Sequence, residues 1–192
     1  MEIEYAYIMK SLMGGIEYCG DLIYTQEYDN KYFFAAIDVL GHGSDARKLA
    51  IKIELYLDDH YRENLLDIMT GLHNNILGSR GAVASLCLID NTGLLQHVGI
   101  GNISVRIKGS ELIRLISRDG IVGYGVVRPT LSETSLKIGD IVLLHSDGIQ
   151  NRFRWDDCKD LISESAESLA LGILNRYQKR DDDASCLAIK VN

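Results

Sequence analysis

The stretch "YFFAAIDVLGHGS", residues 32–44, runs from strand-forming apolar residues straight into Asp38, followed by two glycines and a histidine. A plain turn would be served by Asp-Gly or Asn-Gly, and the residues after "GHG" have the period of a helix opening at Ser44. The junction therefore carries a carboxylate at the tip of a buried strand. "LLHSDGI" at 143–149 repeats the design, an apolar strand, Asp147 and a glycine.

Working outward, "EIEYAYIMKS" and "DLIYTQEY" mix β-branched and aromatic residues as half-buried strands do, and "YDNKY" at 28–32 has hairpin chemistry. From Ser44 the period changes. Ala46, Leu49, Ala50, Ile53 and Leu57 share one helical face, and a second helix is expected over about 63–77, with Leu66, Met69 and Leu72 inward. The middle returns to strands, "AVASLCLID", "LLQHVGIGNISVRIKG" and "ELIRLIS", which read as an antiparallel meander and a second sheet, with "GIGNIS" as a hairpin bend. Residues 117–135 have weak periodicity and the one proline, so a surface loop or flap is expected there. "SAESLALGILNRYQ" reads as an amphipathic helix and "ASCLAIKVN" as a closing strand. Helices segregated from runs of antiparallel strands predict an α+β sandwich of two packed sheets flanked by helices rather than a doubly wound parallel sheet.

Bulk properties narrow the function. A chain of 192 residues with one proline and no Ser/Gly-rich run predicts a single domain over 1–192 without a regulatory domain. The formal charge of −7 and the lack of clustered Lys and Arg argue against nucleic acid or an anionic membrane as partner. Cys19, Cys87, Cys158 and Cys186 lack CxxC spacing, and three of them lie in or beside apolar runs as small buried residues do. With an acidic start, "MEIEYAYIMK", and no apolar run near the roughly 20 residues of a membrane span, the expected location is cytoplasmic.

Acidic residues recur at strand ends or beside glycine: Asp21 in "CGDL", Asp38, Asp147, and the triplet Asp181 to Asp183 before the last strand. Any one of them is ordinary turn chemistry. Gathered at the edge of a core, they would repel and be costly unless a cation neutralised them. An all-oxygen ligand set without Cys or His pairs at zinc spacing points to Mg²⁺ or Mn²⁺, and two such ions sharing a carboxylate would suit phosphoryl hydrolysis. No G-x-S-x-G or GxxxxGK[ST] motif offers a rival chemistry.

In their order, "GD" at 20–21, "DVLGHG" at 38–43, "LKIGDIVLLHSDGI" at 136–149 and "DDDAS" at 181–185 resemble the motifs of the PPM family, the metal-dependent protein serine/threonine phosphatases of type 2C. "SRGAVASLCLID" and "HVGIGNISVRI" are similar to that family's mid-chain strands. The resemblance covers nearly the whole chain and implies an αββα sandwich holding two Mn²⁺ or Mg²⁺ at one end of the paired sheets. It implies Asp38 as the ligand shared by both ions and the Val39 backbone carbonyl as a ligand of one. Asp147 and Asp182 complete the other site, with Asp183 as the fallback for Asp182, and Asp21 holds the site directly or through water. Water activated by the two metals would attack the phosphorus of phosphoserine or phosphothreonine. His42 has two roles open to it, proton donor to the leaving oxygen or cap of the following helix. Arg118 and Arg128 in the expected flap are candidate substrate contacts. No arginine stands on the first strand, unlike the animal relatives.

The run "MGGIEYCGDL" at 13–22 and the absence of a sensor region resemble the stand-alone feedback phosphatases of the bacterial sporulation and stress-response branch. This implies phosphorylated STAS-domain proteins of the stressosome as partners. The alternatives are the same chemistry on a phosphorylated anti-anti-sigma factor, or a catalytically inactive PPM-fold binding module.

Overall fold

The computed structural model describes all of residues 1–192. Asp29 and Asn30, at φ +47° and +59°, form a two-residue turn that joins β2 (Asp21–Tyr28) to β3 (Lys31–Val39). Two left-handed residues match the twist of the flanking strands, and Asp and Asn tolerate that conformation best after glycine. The turn sets the register from Tyr28↔Lys31 to Asp21↔Asp38.

Alternation along this hairpin leaves two apolar faces. Leu22, Tyr24, Phe33, Ala35 and Ile37 belong to one buried cluster, while Ile23, Phe34 and Ala36 belong to another. A sheet apolar on both faces must be covered on both. One cover is a pair of helices, α1 (Ser44–His60) and α2 (Leu65–Asn75), whose Ala46, Ala50, Ile53, Ile68, Met69 and Leu72 enter the first cluster. Leu66, expected inward, is only half-buried. The other cover is a second sheet.

The remaining elements are β1 (Ile3–Lys10), β4 (Ala82–Ile89), β5 (Leu94–Ile100), β6 (Ser104–Lys108), β7 (Leu112–Leu115), β8 (Leu131–Ser135), β9 (Ile141–His145), α3 (Lys159–Ile162), α4 (Ala166–Tyr177) and β10 (Ala184–Val191). They complete two antiparallel five-stranded sheets, β2-β3-β4-β5-β8 and β1-β10-β9-β6-β7. A third apolar cluster joins Leu143, Cys186 and Ala188 to Leu169, Ala170 and Ile173 of α4, which covers the outer face of the second sheet. Three apolar interfaces thus build four layers, the expected αββα sandwich. Phe33 and Phe34 are fully buried on opposite faces of β3, and truncating either to Ala would cost about 3–5 kcal/mol.

Three expectations are corrected. The middle strands are not one meander: β4 and β5 pair in the first sheet, β6 and β7 in the second, and β1 leaves the opening strands to pair with β10. "GIGNIS" is accordingly a crossing between sheets rather than a hairpin bend, with Gly101 at φ +96°. The 117–135 segment is not a free flap. Val122 is fully buried and bridged to Ala82, the Gly123 amide donates to Nδ1 of His73 at 3.0 Å, and Leu131–Ser135 is the edge strand β8. No residue of β8 is fully buried, so it had no hydrophobic alternation to display. All four cysteines are buried and free, and no helix is long and apolar enough to cross a membrane.

Candidate metal centre

Asp21 and Asp38 end the β2–β3 ladder as direct cross-strand partners. By alternation Asp21 shares the face of Ile23, and Asp38 that of Phe34 and Ala36, the face turned toward the other sheet. Both carboxylates therefore enter the gap between the sheets at its open end. Asp21 is 1% exposed and Asp38 half-buried.

The second sheet answers from across the gap. Beyond β9 come Ser146 and Asp147, and before β10 come Asp182 and Asp183. The Ser146 amide donates to the Ser185 carbonyl at 3.2 Å, and the Ser185 amide to the Ser146 Oγ at 3.0 Å, binding the two segments together. Gly148 explains the Asp-Gly pair, because a β-carbon there would stand 1.9 Å from the Asp183 carbonyl oxygen. Only glycine admits that contact. Asn102, from the crossing segment, donates its amide to Oδ2 of Asp147 at 2.9 Å.

Asp182 and Asp183 differ in what they do. The buried Asp183 carboxylate accepts the Leu12 amide at one oxygen and the Gly20 amide at the other, both at 2.7 Å, so it clamps the segment leading into β2. Asp182 is half-buried and lies beside Asp147. Of the pair, Asp182 is the one with a carboxylate not committed to two backbone amides.

Burial pushes the Asp21 carboxyl up to about 7, opposed by the nearby Ser146 and Ser185 hydroxyls and reinforced by Asp183 and Asp182. Neither Oδ2 of Asp21 nor Oγ of Ser185 has a hydrogen-bond partner, so the seryl influence stops short of satisfying the carboxylate. Asp38 is pushed up to about 8, by burial first and then by Asp21, Asp147 and Asp182. Asp182 is raised by burial and by Asp147. No lysine or arginine pairs with any of them, since the ion pairs lie at Asp45, Asp29, Asp156 and Asp160. No three of these side chains converge on one point. The donor set still fits hard divalent cations: it is all oxygen, it lacks a neutralising side chain, and it includes an orphaned buried carboxylate oxygen.

The glycines after Asp38 shape the approach. Gly41 and Gly43 have φ +83° and +85°, and a β-carbon on Gly20 would lie 3.2 Å from the Val39 carbonyl oxygen and 3.0 Å from that of Gly41. His42 is exposed and makes no side-chain hydrogen bond. It does not cap α1: Gly43 is the N-cap, without a side-chain bond, because a left-handed glycine already turns the chain into the helix. Arg118 and Arg128 are exposed and line one open hollow of about 790 Å³ with Thr130, whose Oγ1 accepts from Nε of Arg118 at 3.2 Å. None of the clustered aspartates lines that hollow.

Sequence reading missed Asn102, Ser146, Ser185 and two cations. Arg80 donates to the Leu40 carbonyl at 3.2 Å, beside the Asp38 loop. Arg47, on the first turns of α1, has a buried Nη1 without a partner. The one available signal was position, since Ser146 directly precedes Asp147 and Ser185 lies two residues after Asp183.

Neither a family model nor a curated protein matches the sequence. Solved structures do. One, from work entitled "The bacterial stressosome: a modular system that has been adapted to control secondary messenger signaling", is 30% identical over 99% of this chain and 100% of its own, with a TM-score of 0.90. RsbX in complex with magnesium is 17% identical over 99% of this chain and 96% of its own, with a TM-score of 0.84. The serine/threonine phosphatase of S. agalactiae is 14% identical over the full length of both chains, again with a TM-score of 0.84.

Proposed function

Because the chain belongs to the PPM family of type 2C serine/threonine phosphatases, we propose that its carboxylate end removes phosphate from phosphoserine or phosphothreonine on a protein substrate. The observation that carries this is the cross-strand pair Asp21 and Asp38 directed at Asp147 and Asp182 across the sheet gap with no side-chain cation among them. The whole chain would be one catalytic domain.

In this reading Asp38 would be the ligand common to two Mg²⁺ or Mn²⁺ ions, the Val39 carbonyl would serve one, Asp147 and Asp182 would serve the other, and Asp21 would support the set directly or through water. Bound there, the ions would supply charge neutralisation, Lewis acidity toward a phosphoryl oxygen and an activated water. The protein's own part is to hold the carboxylates in place, while the charge of the bound ions would keep them ionised. Asn102 fixes Asp147. The Ser146 and Ser185 pairing and the Asp183 clamp keep the two sheet ends in register. His42 is the candidate proton donor to the leaving oxygen. Arg47 and Arg80 are candidate contacts for the phosphate, and Arg118 and Arg128 for the surrounding protein.

Stressosome work at 30% identity and the likeness to RsbX support a stressosome-type partner, a phosphorylated STAS-domain protein. The test is phosphate release from such a protein by the metal-stripped chain on adding Mn²⁺ or Mg²⁺, with Asp38→Asn alongside. Metal-dependent release lost in the variant supports the reading. A folded, metal-binding protein that releases nothing overturns it in favour of a binding module.

A further inference from the structure

Strands β6 and β7 place Arg106 and Arg114 directly opposite each other. By alternation Lys108 and Leu112, also partners, share their face, the one turned away from the inter-sheet core. Like charges facing across a ladder destabilise it, and no acidic side chain intervenes. Arg106 is half-buried, lies 4.3 Å above the Phe153 ring, and donates to the carbonyls of Phe153 and Asn151. Those bonds tie it to the 151–154 loop. Arg114 and Arg154 are exposed, and neither their side chains nor that of Lys108 has an ion-pair or hydrogen-bond partner. The one acid at the site, Asp156, is 3.2 Å from Lys159.

These residues line a groove of about 430 Å³, with Leu112 and Trp155 as apolar lining. β7 pairs only with β6 and ends its sheet, so its outer backbone groups are open to pairing. Leu112 beside them is 68% exposed. Arg114 also lines an adjoining hollow of about 310 Å³ that contains Asn102, the residue holding Asp147. Arg114 thus stands between the groove and the hollow that holds Asn102.

We propose that this groove docks an acidic, extended segment of the phosphoprotein substrate, added as a strand to the free edge of β7 and held by Lys108, Arg114 and Arg154. The proposal rests on the phosphatase reading for its substrate. Charge complementarity selects the occupant: three unpaired cations gather on a chain of net charge −7. Strand addition gives affinity through the backbone, and alternate side chains set specificity. A nucleotide is a poorer fit, since Phe153 and Trp155 are 4% and 8% exposed and one ring face is already covered by Arg106.

The experiment measures, by fluorescence anisotropy, binding of a labelled peptide of about ten residues alternating glutamate with valine, and of its lysine counterpart, to the full chain and to Arg114→Glu/Arg154→Glu. Turnover of p-nitrophenyl phosphate and of a phosphorylated STAS protein is followed in parallel. The expected result is at least tenfold tighter binding of the glutamate peptide and at least tenfold loss in the double variant. Retention in Arg114→Lys, a raised KM for the phosphoprotein and unchanged turnover of the small ester are also expected. No binding, equal binding of both peptides, or binding indifferent to the variant overturns the proposal. A dimer in sedimentation that the variant dissolves also overturns it, assigning the groove to a second copy of the chain. Absent turnover of both phosphate esters with either metal removes the phosphatase reading, while the anisotropy still decides whether the groove takes acidic segments.

Discussion

Asp21 and Asp38 face each other at the last rung of the β2–β3 ladder, both turned into the gap between the sheets. With their carboxyls raised to about 7 and about 8, the folded, metal-free chain holds protons there that the unfolded chain releases near pH 4. Stability conferred by those protons is lost as pH rises through the folded values. Metal-free protein should lose on the order of 2–4 kcal/mol between pH 6.5 and 8.5, and Mg²⁺ should restore it at pH 8.5. Asp38→Asn should raise the metal-free midpoint at pH 8.5 by several degrees and abolish the Mg²⁺ effect. Thermal melts at both pH values check this, and a flat metal-free profile would contradict the clustering.

Asp182 and Asp183 should separate function from stability. Asp183→Asn weakens the bonds from the Leu12 and Gly20 amides, the second of them buried, and should cost about 2–3 kcal/mol in urea unfolding. Asp182→Asn should change stability by less than about 1 kcal/mol while weakening Mn²⁺ binding at least tenfold in calorimetry. The reverse pattern would make Asp183 the ligand.

His97, fully buried against Ser85 with 2.9 Å between Nε2 and Oγ, is depressed to about 4 by burial. The unfolded chain protonates it near 6.5, so its contribution to stability is present above that value and lost as pH falls toward 4. Comparing His97→Gln with wild type at pH 7 and pH 4.5 should show the variant losing less, by on the order of 2 kcal/mol. Equal losses would mean that His97 is protonated in the fold.

Gly148 and Gly139 should respond differently to alanine. Gly148→Ala drives a β-carbon into the Asp183 carbonyl and should cost more than about 3 kcal/mol, disturbing the Asp147 and Asp182 ends. Gly139, at φ +92° with open space around it, should cost about 1 kcal/mol as Ala. Denaturant midpoints decide.

Local chemistry sufficed for much of this protein. The Asp29-Asn30 turn, the helical period from Ser44, and the strand-ending Asp38 and Asp147 are properties of adjacent residues and were legible as such. Alternation, however, says which residues share a face and not which strand lies beside which. That is why β5 and β6, read as one run, proved to belong to different sheets. What distinguishes Asp183 from Asp182 lies in the distant amides of Leu12 and Gly20, and Asn102 meets Asp147 only across the crossing between sheets. The chain alone determined where carboxylates leave the core. Tertiary structure decided which of them meet, because their meeting depends on two sheets closing face to face over apolar surfaces that no local pattern orients.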